Sequence, residues 1–177
     1  MAMVGLFWIA GGDVYVGAKP SGQAPGIRLA PEGVVALGDG QAGLYPWEDV
    51  HGLTVVDVPV KTLKRQVGAV TDMALGTVMD LALTGPGPGL PGQAPSLLTV
   101  RIASTGGNRE LSAYVAAAIG YSRTETDLSL ALLSRLTEGA ATMATTLAAM
   151  AEWGRTWEGG GSPRRAEREA LLRGWVG

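Results

Sequence analysis

The residues best placed to do chemistry lie close together, at Glu48, Asp49 and His51 in the segment YPWEDVHGLTVV. Two carboxylates beside an imidazole could exchange protons with a substrate near neutral pH, where histidine ordinarily titrates. Such a cluster needs a conjugate partner and an enclosing pocket, and the sequence shows neither. His51 is the only histidine and there is no cysteine. Thiolate nucleophiles, zinc-thiolate sites and disulfides are therefore excluded, and a Ser-His-Asp arrangement or a His-based metal site would rest on His51 alone. A structural corner accounts for the same residues. Pro46 cannot donate to a strand ladder and marks an edge or corner. Trp47 then turns inward, with Glu48, Asp49 and His51 solvated on the outer turn. The corner is the better reading, so no catalytic residue, metal ligand or cofactor is assigned.

A second candidate is cationic. Lys61, Lys64 and Arg65, with Lys19 and Arg28, could contact anions or the headgroups of a membrane surface. Lys19 stands alone in GAKPSGQ, which gives phosphoinositide recognition no support. The net charge of −2 gives no electrostatic reason to expect nucleic acid. Glycines are abundant, but neither a GxGxxG turn nor a GxxxxGK[ST] loop occurs, and GPGPGLPG places prolines where a phosphate cradle needs free N–H groups.

These residues need a frame, and composition allows one. Nearly half of the 177 residues are apolar and 17% are charged, which suits one packed domain with room for an appendage. The opening run is broken by Gly11, Gly12 and Asp13 and carries no early Lys or Arg, so it does not read as a secretory signal. No stretch reaches the length of a membrane span, and the expectation is a cytoplasmic protein.

Six short strands fit the first sixty residues: Val4–Ile9, Asp13–Gly17, Ile27–Ala30, Val34–Leu37, Gly43–Trp47 and Leu53–Val58, separated by glycine-rich turns. The period then changes. Leu63, Val67, Val70, Ala74, Val78 and Leu81 form a helical stripe over 61–83. Residues 84–96 combine Gly and Pro too densely for regular structure. Leu97–Ala103 and Glu110–Ala117 read as a further hairpin.

Helix resumes at Ser122, where Ser122 and Glu125 have the spacing of a capping box. Leu133, Leu136, Ala140, Met143, Leu147, Met150 and Trp157 then follow a 3-4 spacing, with Gly154 in the remaining slot, a seam of coiled-coil type that Gly139 weakens or breaks. Residues 158–162 read as a glycine linker, and 163–177 as a short helical tail opened by Ser162 and Pro163.

The phrases IRLAPEGV, YPWEDVHGLTV and GYSRTETDLSLALLSRL resemble those of uncharacterised pleckstrin-homology-like (PH-like) domains of actinobacterial proteins. The resemblance implies an α+β fold, an antiparallel sandwich or barrel over 1–140 closed by a long C-terminal helix. A helix-plus-loop insertion would occupy 61–96, and 141–157 would extend the closing helix. It implies a non-enzymatic protein-interaction or scaffold module. The apolar residues beyond a small sheet's reach, Leu147, Met150, Trp157, Leu171, Leu172 and Trp175, are then expected at an interface with a protein partner or a second copy in a homodimer. The alternative is a peripheral membrane-binding module using helix 61–83, with Lys61, Lys64 and Arg65 at the headgroups.

Overall fold

The computed structural model describes residues 2–59, 96–117 and 121–177. Its strands are β1 (Ala2–Val4), β2 (Phe7–Ala10), β3 (Asp13–Val16), β4 (Gly26–Ala30), β5 (Gly33–Leu37), β6 (Gly43–Pro46), β7 (Val50–Val56), β8 (Leu97–Ser104) and β9 (Gly107–Tyr114). Three helices follow among these residues: α1 (Arg123–Leu136), α2 (Ala140–Thr156) and α3 (Arg165–Val176). The fold is α+β. Strands β1 to β6 form one antiparallel meander in sequence order, β7 to β9 form a second, and among the described residues the sheets do not close into a barrel. The expected helix over 61–83, with Lys61, Lys64 and Arg65, and the loop over 84–96 apart from Ser96, lie outside the described residues.

The first expected strand is in fact two. Val4 pairs with Phe7 across a tight turn, and Gly5 at its head has φ +58°, which a side-chain-bearing residue rarely adopts. A Cβ on Gly5 would also overlap Ser129 Oγ of α1 and crowd Leu172 of α3. The turn is therefore a docking point. Ser129 Oγ accepts the Leu6 N–H at 3.1 Å and donates to the Glu125 carbonyl at 2.6 Å.

Cross-strand register gives the six-stranded sheet an inner face of Val4, Phe7, Ile9, Val14, Val16, Ile27, Leu29, Val34 and Ala36. All are buried in one core with Leu53, Val55, Leu98, Val100 and Ile102 of the second sheet. The sheets are joined at β9. Gln41 uses its side-chain amide like a short strand: its Oε1 accepts the Ser112 N–H and its Nε2 donates to the Ser112 carbonyl, each at 2.9 Å. Ala18 N–H donates to the Tyr114 carbonyl at 2.7 Å beside them.

The run after Ser122 is two helices, so 141–157 does not extend the first. Thr137 Oγ1 donates to the Ser134 carbonyl, and Gly139 takes an extended backbone before α2 begins. The break folds the seam back on the chain's own core. Leu133, Leu136, Met143, Leu147 and Met150 are buried there, and Gly154 lets α2 lie against Ile9, where a Cβ would overlap the Ile9 side chain. Leu147, Met150 and Leu172 are thus core residues of a single copy, which removes them from the expected interface set. Burial by the chain itself supplies what a partner was expected to supply.

Helix α3 is held by charge. The Arg168 guanidinium forks onto the Glu125 carboxylate, with Nη2–Oε2 at 3.3 Å, and its Nη1 donates to the Pro163 carbonyl at 2.7 Å. Ser122 Oγ accepts the Glu125 N–H at 3.1 Å, so the expected cap forms, and donates to the Glu125 carboxylate at 3.0 Å. Only 3% of the Glu125 side chain and 14% of the Arg168 side chain are exposed. Burial pushes the Glu125 pKa up, but the Arg168 hydrogen bond and charge and the Ser122 hydrogen bonds together hold it below the ordinary value. A depressed carboxyl pKa adds stability that is complete above the unfolded value of about 4.3 and is lost as pH falls through the lower folded value. Replacing Arg168 by Met strands a buried carboxylate and is expected to cost about 3–5 kcal/mol at neutral pH. Urea midpoints at pH 7 and pH 3 check this: the wild type is expected to fall more steeply with acid than Glu125→Gln. Equal falls would mean that the pair does not carry the acid sensitivity.

Candidate functional site

The opening trio does not assemble a reactive centre. Asp49 N–H donates to the Pro46 carbonyl at 2.9 Å and Val50 N–H to the Trp47 carbonyl at 3.2 Å, so Pro46 to Val50 turn the chain between the two sheets. Trp47 is only half-buried. Its indole N–H donates to the Ala30 carbonyl at 2.7 Å while the ring packs on the core. The register shifts between Val50 and Gly52, placing His51 at a bulge. His51 is exposed, with its Nε2 3.0 Å from Thr105 Oγ1, and that hydroxyl lies 3.5 Å from Asp49 Oδ1. This is an open polar chain on the surface, where water competes for every group.

Of the residues expected at an interface, Trp157, Leu171 and Trp175 remain half-buried. Trp157 stacks on Trp153 with centroids 5.3 Å apart, and Trp153 meets Trp175 edge to face at 5.9 Å. The glycine segment after them is not a free linker. Trp157 Nε1 donates to the Gly161 carbonyl at 2.8 Å, and Ser162 Oγ accepts the Met3 N–H at 2.9 Å instead of capping α3. The aromatic trio ties α2 to α3.

A groove of about 730 Å³ lies over β7 to β9 beside α1, lined by Leu53, Ile102 and Leu130 and by Thr54, Arg101, Asn108, Arg109, Glu110 and Ser134. Arg101 and Glu110 pair across the strands at 2.8 Å, but both are more than half exposed, so this pair contributes about 0–1 kcal/mol. Among the described residues, no three His, Cys, Asp or Glu side chains cluster closely enough to hold a metal ion.

The less ordinary surface is the outer face of the six-stranded sheet. Register places Met3, Trp8, Tyr15, Arg28, Val35 and Leu44 in one continuous row, one residue from each strand. Ala10, Ala30, Leu37 and Pro46 flank the row on the same face. An antiparallel sheet normally shows water a polar face, and this one is apolar on both. Leu44 is 51% exposed, Met3, Trp8, Arg28 and Val35 are half-buried, and Tyr15 in the middle of the row is buried at 7% exposure. The contacts that fix the helices fall elsewhere: α2 sits on Ile9 of the inner face, and α1 and α3 sit at the Gly5 turn. Arg28 and Tyr15 are neighbours, and burial and the Asp13 charge raise the Tyr15 pKa against the lowering effect of Arg28, so its hydroxyl stays protonated.

Two donors in this row are unpaired. The Trp8 Nε1 and Arg28 Nε atoms are shielded from water and have no hydrogen-bond partner. Arg28 enters none of the five ion pairs among the described residues. In the sequence Arg28 stands out only as a member of a cationic mouth with Lys19, Lys61, Lys64 and Arg65. Its place among aromatic neighbours follows from strand register, although the unbroken apolar runs FWIA and GVVAL were a visible sign of strands with two apolar faces.

No protein-family model, no curated protein and no solved structure matches this chain. Its function has to be argued from the faces themselves. Among the described residues, no helix is long and apolar enough to cross a membrane.

A buried guanidinium Nε–H without an acceptor costs stability, because it gives up hydration without a compensating hydrogen bond. Arg28→Met keeps the apolar stem and removes that cost. It is expected to leave stability unchanged or raise it by about 1 kcal/mol, whereas Leu29→Ala on the inner face loses about 2–5 kcal/mol. Denaturant midpoints of the two variants decide; a large loss from Arg28→Met would make Arg28 a structural residue.

Proposed function

We propose that this chain is a non-enzymatic protein-interaction module of PH-like type that receives a partner on the outer face of its six-stranded sheet. The observation that carries the reading is the row Met3–Trp8–Tyr15–Arg28–Val35–Leu44. A sheet face that is apolar, only half-buried along its row and exposed at Leu44 supports an interaction site there. Tryptophan, tyrosine and arginine are the residue types that dominate interface energetics, and all three stand side by side here. Two antiparallel meanders followed by a helix support the PH-like assignment, with α1 in the place of the closing helix.

The row separates this reading from the others. A catalytic site would need titratable groups held in a cleft; Asp49 and His51 stand on an open turn, and Arg101 and Glu110 of the groove over β7 to β9 pair with each other and are more than half exposed. Leu147 and Met150 are buried by their own chain, which argues against a dimer built on them and leaves other surfaces, this face included, for a second copy.

A photo-crosslinking residue placed at position 35, with a control at position 99 on the second sheet, tests the proposal in cells that make the protein. Protein adducts of defined mass are expected from position 35 only, and are expected to disappear when Leu44→Asp is added. Adducts of equal yield at both positions, or none at position 35, would contradict the reading.

A further inference from the structure

We propose that α3 is an exchangeable helix: in concentrated protein it docks on a second copy of this chain, which returns its own α3 and closes a reciprocal dimer. The inference does not depend on what the outer sheet face binds.

It starts from the hinge. The eight residues between α2 and α3 include Gly159, Gly160 and Gly161, all exposed. They do not run straight. Gly161 N–H donates to the Gly159 carbonyl at 3.0 Å, and a Cβ on Gly159 would overlap the Trp157 ring. The Trp157 indole N–H in turn donates to the Gly161 carbonyl at 2.8 Å. This is slack chain folded over one side chain. Extended, eight residues reach roughly 26–29 Å, enough to carry a helix to a neighbouring molecule.

The anchors of α3 all lie beyond that hinge. Ser162 Oγ accepts the Met3 N–H at 2.9 Å, Arg168 forks onto Glu125, and the fully buried Leu172 fills the space over Gly5. Trp175 meets Trp153 of α2. A second copy offers the same Met3, Gly5, Glu125 and Trp153, so each of these contacts forms again between copies. Within the described residues, exchange opens the Gly159–Gly161 turn and its exposed hydrogen bond to Trp157. Protein concentration then sets the extent of exchange, because the packing of α3 is the same in both forms.

The docking site also selects its occupant. The Glu125 side chain is 3% exposed and takes one guanidinium, and Gly5 leaves room for one aliphatic side chain. Arg168, Leu172 and Trp175 meet Glu125, Gly5 and Trp153 from one helix face, at the i, i+4 and i+7 positions. A helix from another protein would have to reproduce that spacing and charge. A second copy carries both unchanged.

The test mixes two full-length variants, Glu125→Arg and Arg168→Glu. Alone, each sets like charges against one another where the ion pair stood, and is expected to be a monomer. Mixed, the unaltered Glu125 of one copy meets the unaltered Arg168 of the other, and the two substituted side chains pair in return. Native mass spectrometry of the mixture is expected to show about tenfold more dimer than either variant alone, as a one-to-one heterodimer. Two folded variants that stay monomeric on mixing would overturn the proposal. The unaltered protein decides if either variant fails to fold. Carbon-13-labelled and unlabelled chains, refolded together from urea at high concentration, are expected to give a dimer with Leu172 methyl to Gly5 contacts between labelled and unlabelled chains. No dimer, or a dimer in which those contacts stay within each chain, would overturn it as well.

Discussion

The fork between Arg168 and the Glu125 carboxylate is the contact on which the helical side of this molecule depends. Glu125 occupies the first turn of α1, where its carboxylate also takes the Ser122 hydroxyl, and one turn on Ser129 catches the Leu6 amide. Arg168 brings α3 to the same point, and Leu172 of α3 fills the space that Gly5 leaves open. A buried ion pair is weak evidence of net stability, because desolvation offsets much of the attraction. Its value here is positional. The carboxylate has room for one guanidinium, and satisfying it fixes α1, α3 and the β1–β2 turn in one arrangement.

That arrangement decides which side of the large sheet is core. With α1 and α3 at the Gly5 turn and α2 lying on Ile9, the described helices serve the inner face. Strands β2 and β5 are nonetheless apolar on both sides, as in sheets covered from two directions. The outer row combines that apolar character with two donors lacking acceptors. A face made only for solvent would carry neither feature.

Much of the frame was legible in the sequence. Strand positions from Asp13 to Leu37, the corner at Pro46, the hairpin resuming at Leu97 and the helix start at Ser122 follow from turn chemistry and alternation, which act locally. The split at Gly5 was hidden, because one glycine inside an apolar run reads as a strand residue until a partner strand shows that the chain reverses. The 3-4 seam reads as a buried stripe in the sequence, which leaves open whether the chain itself or a partner covers it; here Leu147 and Met150 lie in the chain's own core. Periodicity reports that Leu147 and Met150 need cover; only the break at Gly139 lets the chain cover them itself. The outer row could not be read at all. It joins one residue from each of six strands, and only register brings Trp8, Tyr15 and Arg28 together.

Hydroxyl-radical footprinting of the full-length protein tests the central claim that the outer face is available to a partner. Met3, Trp8, Val35 and Leu44 are expected to oxidise much faster than Met143 and Met150, which the inner core shields. Protection of Trp8 and Leu44 to the level of Met150 would mean that the face is already sealed, and would contradict the account.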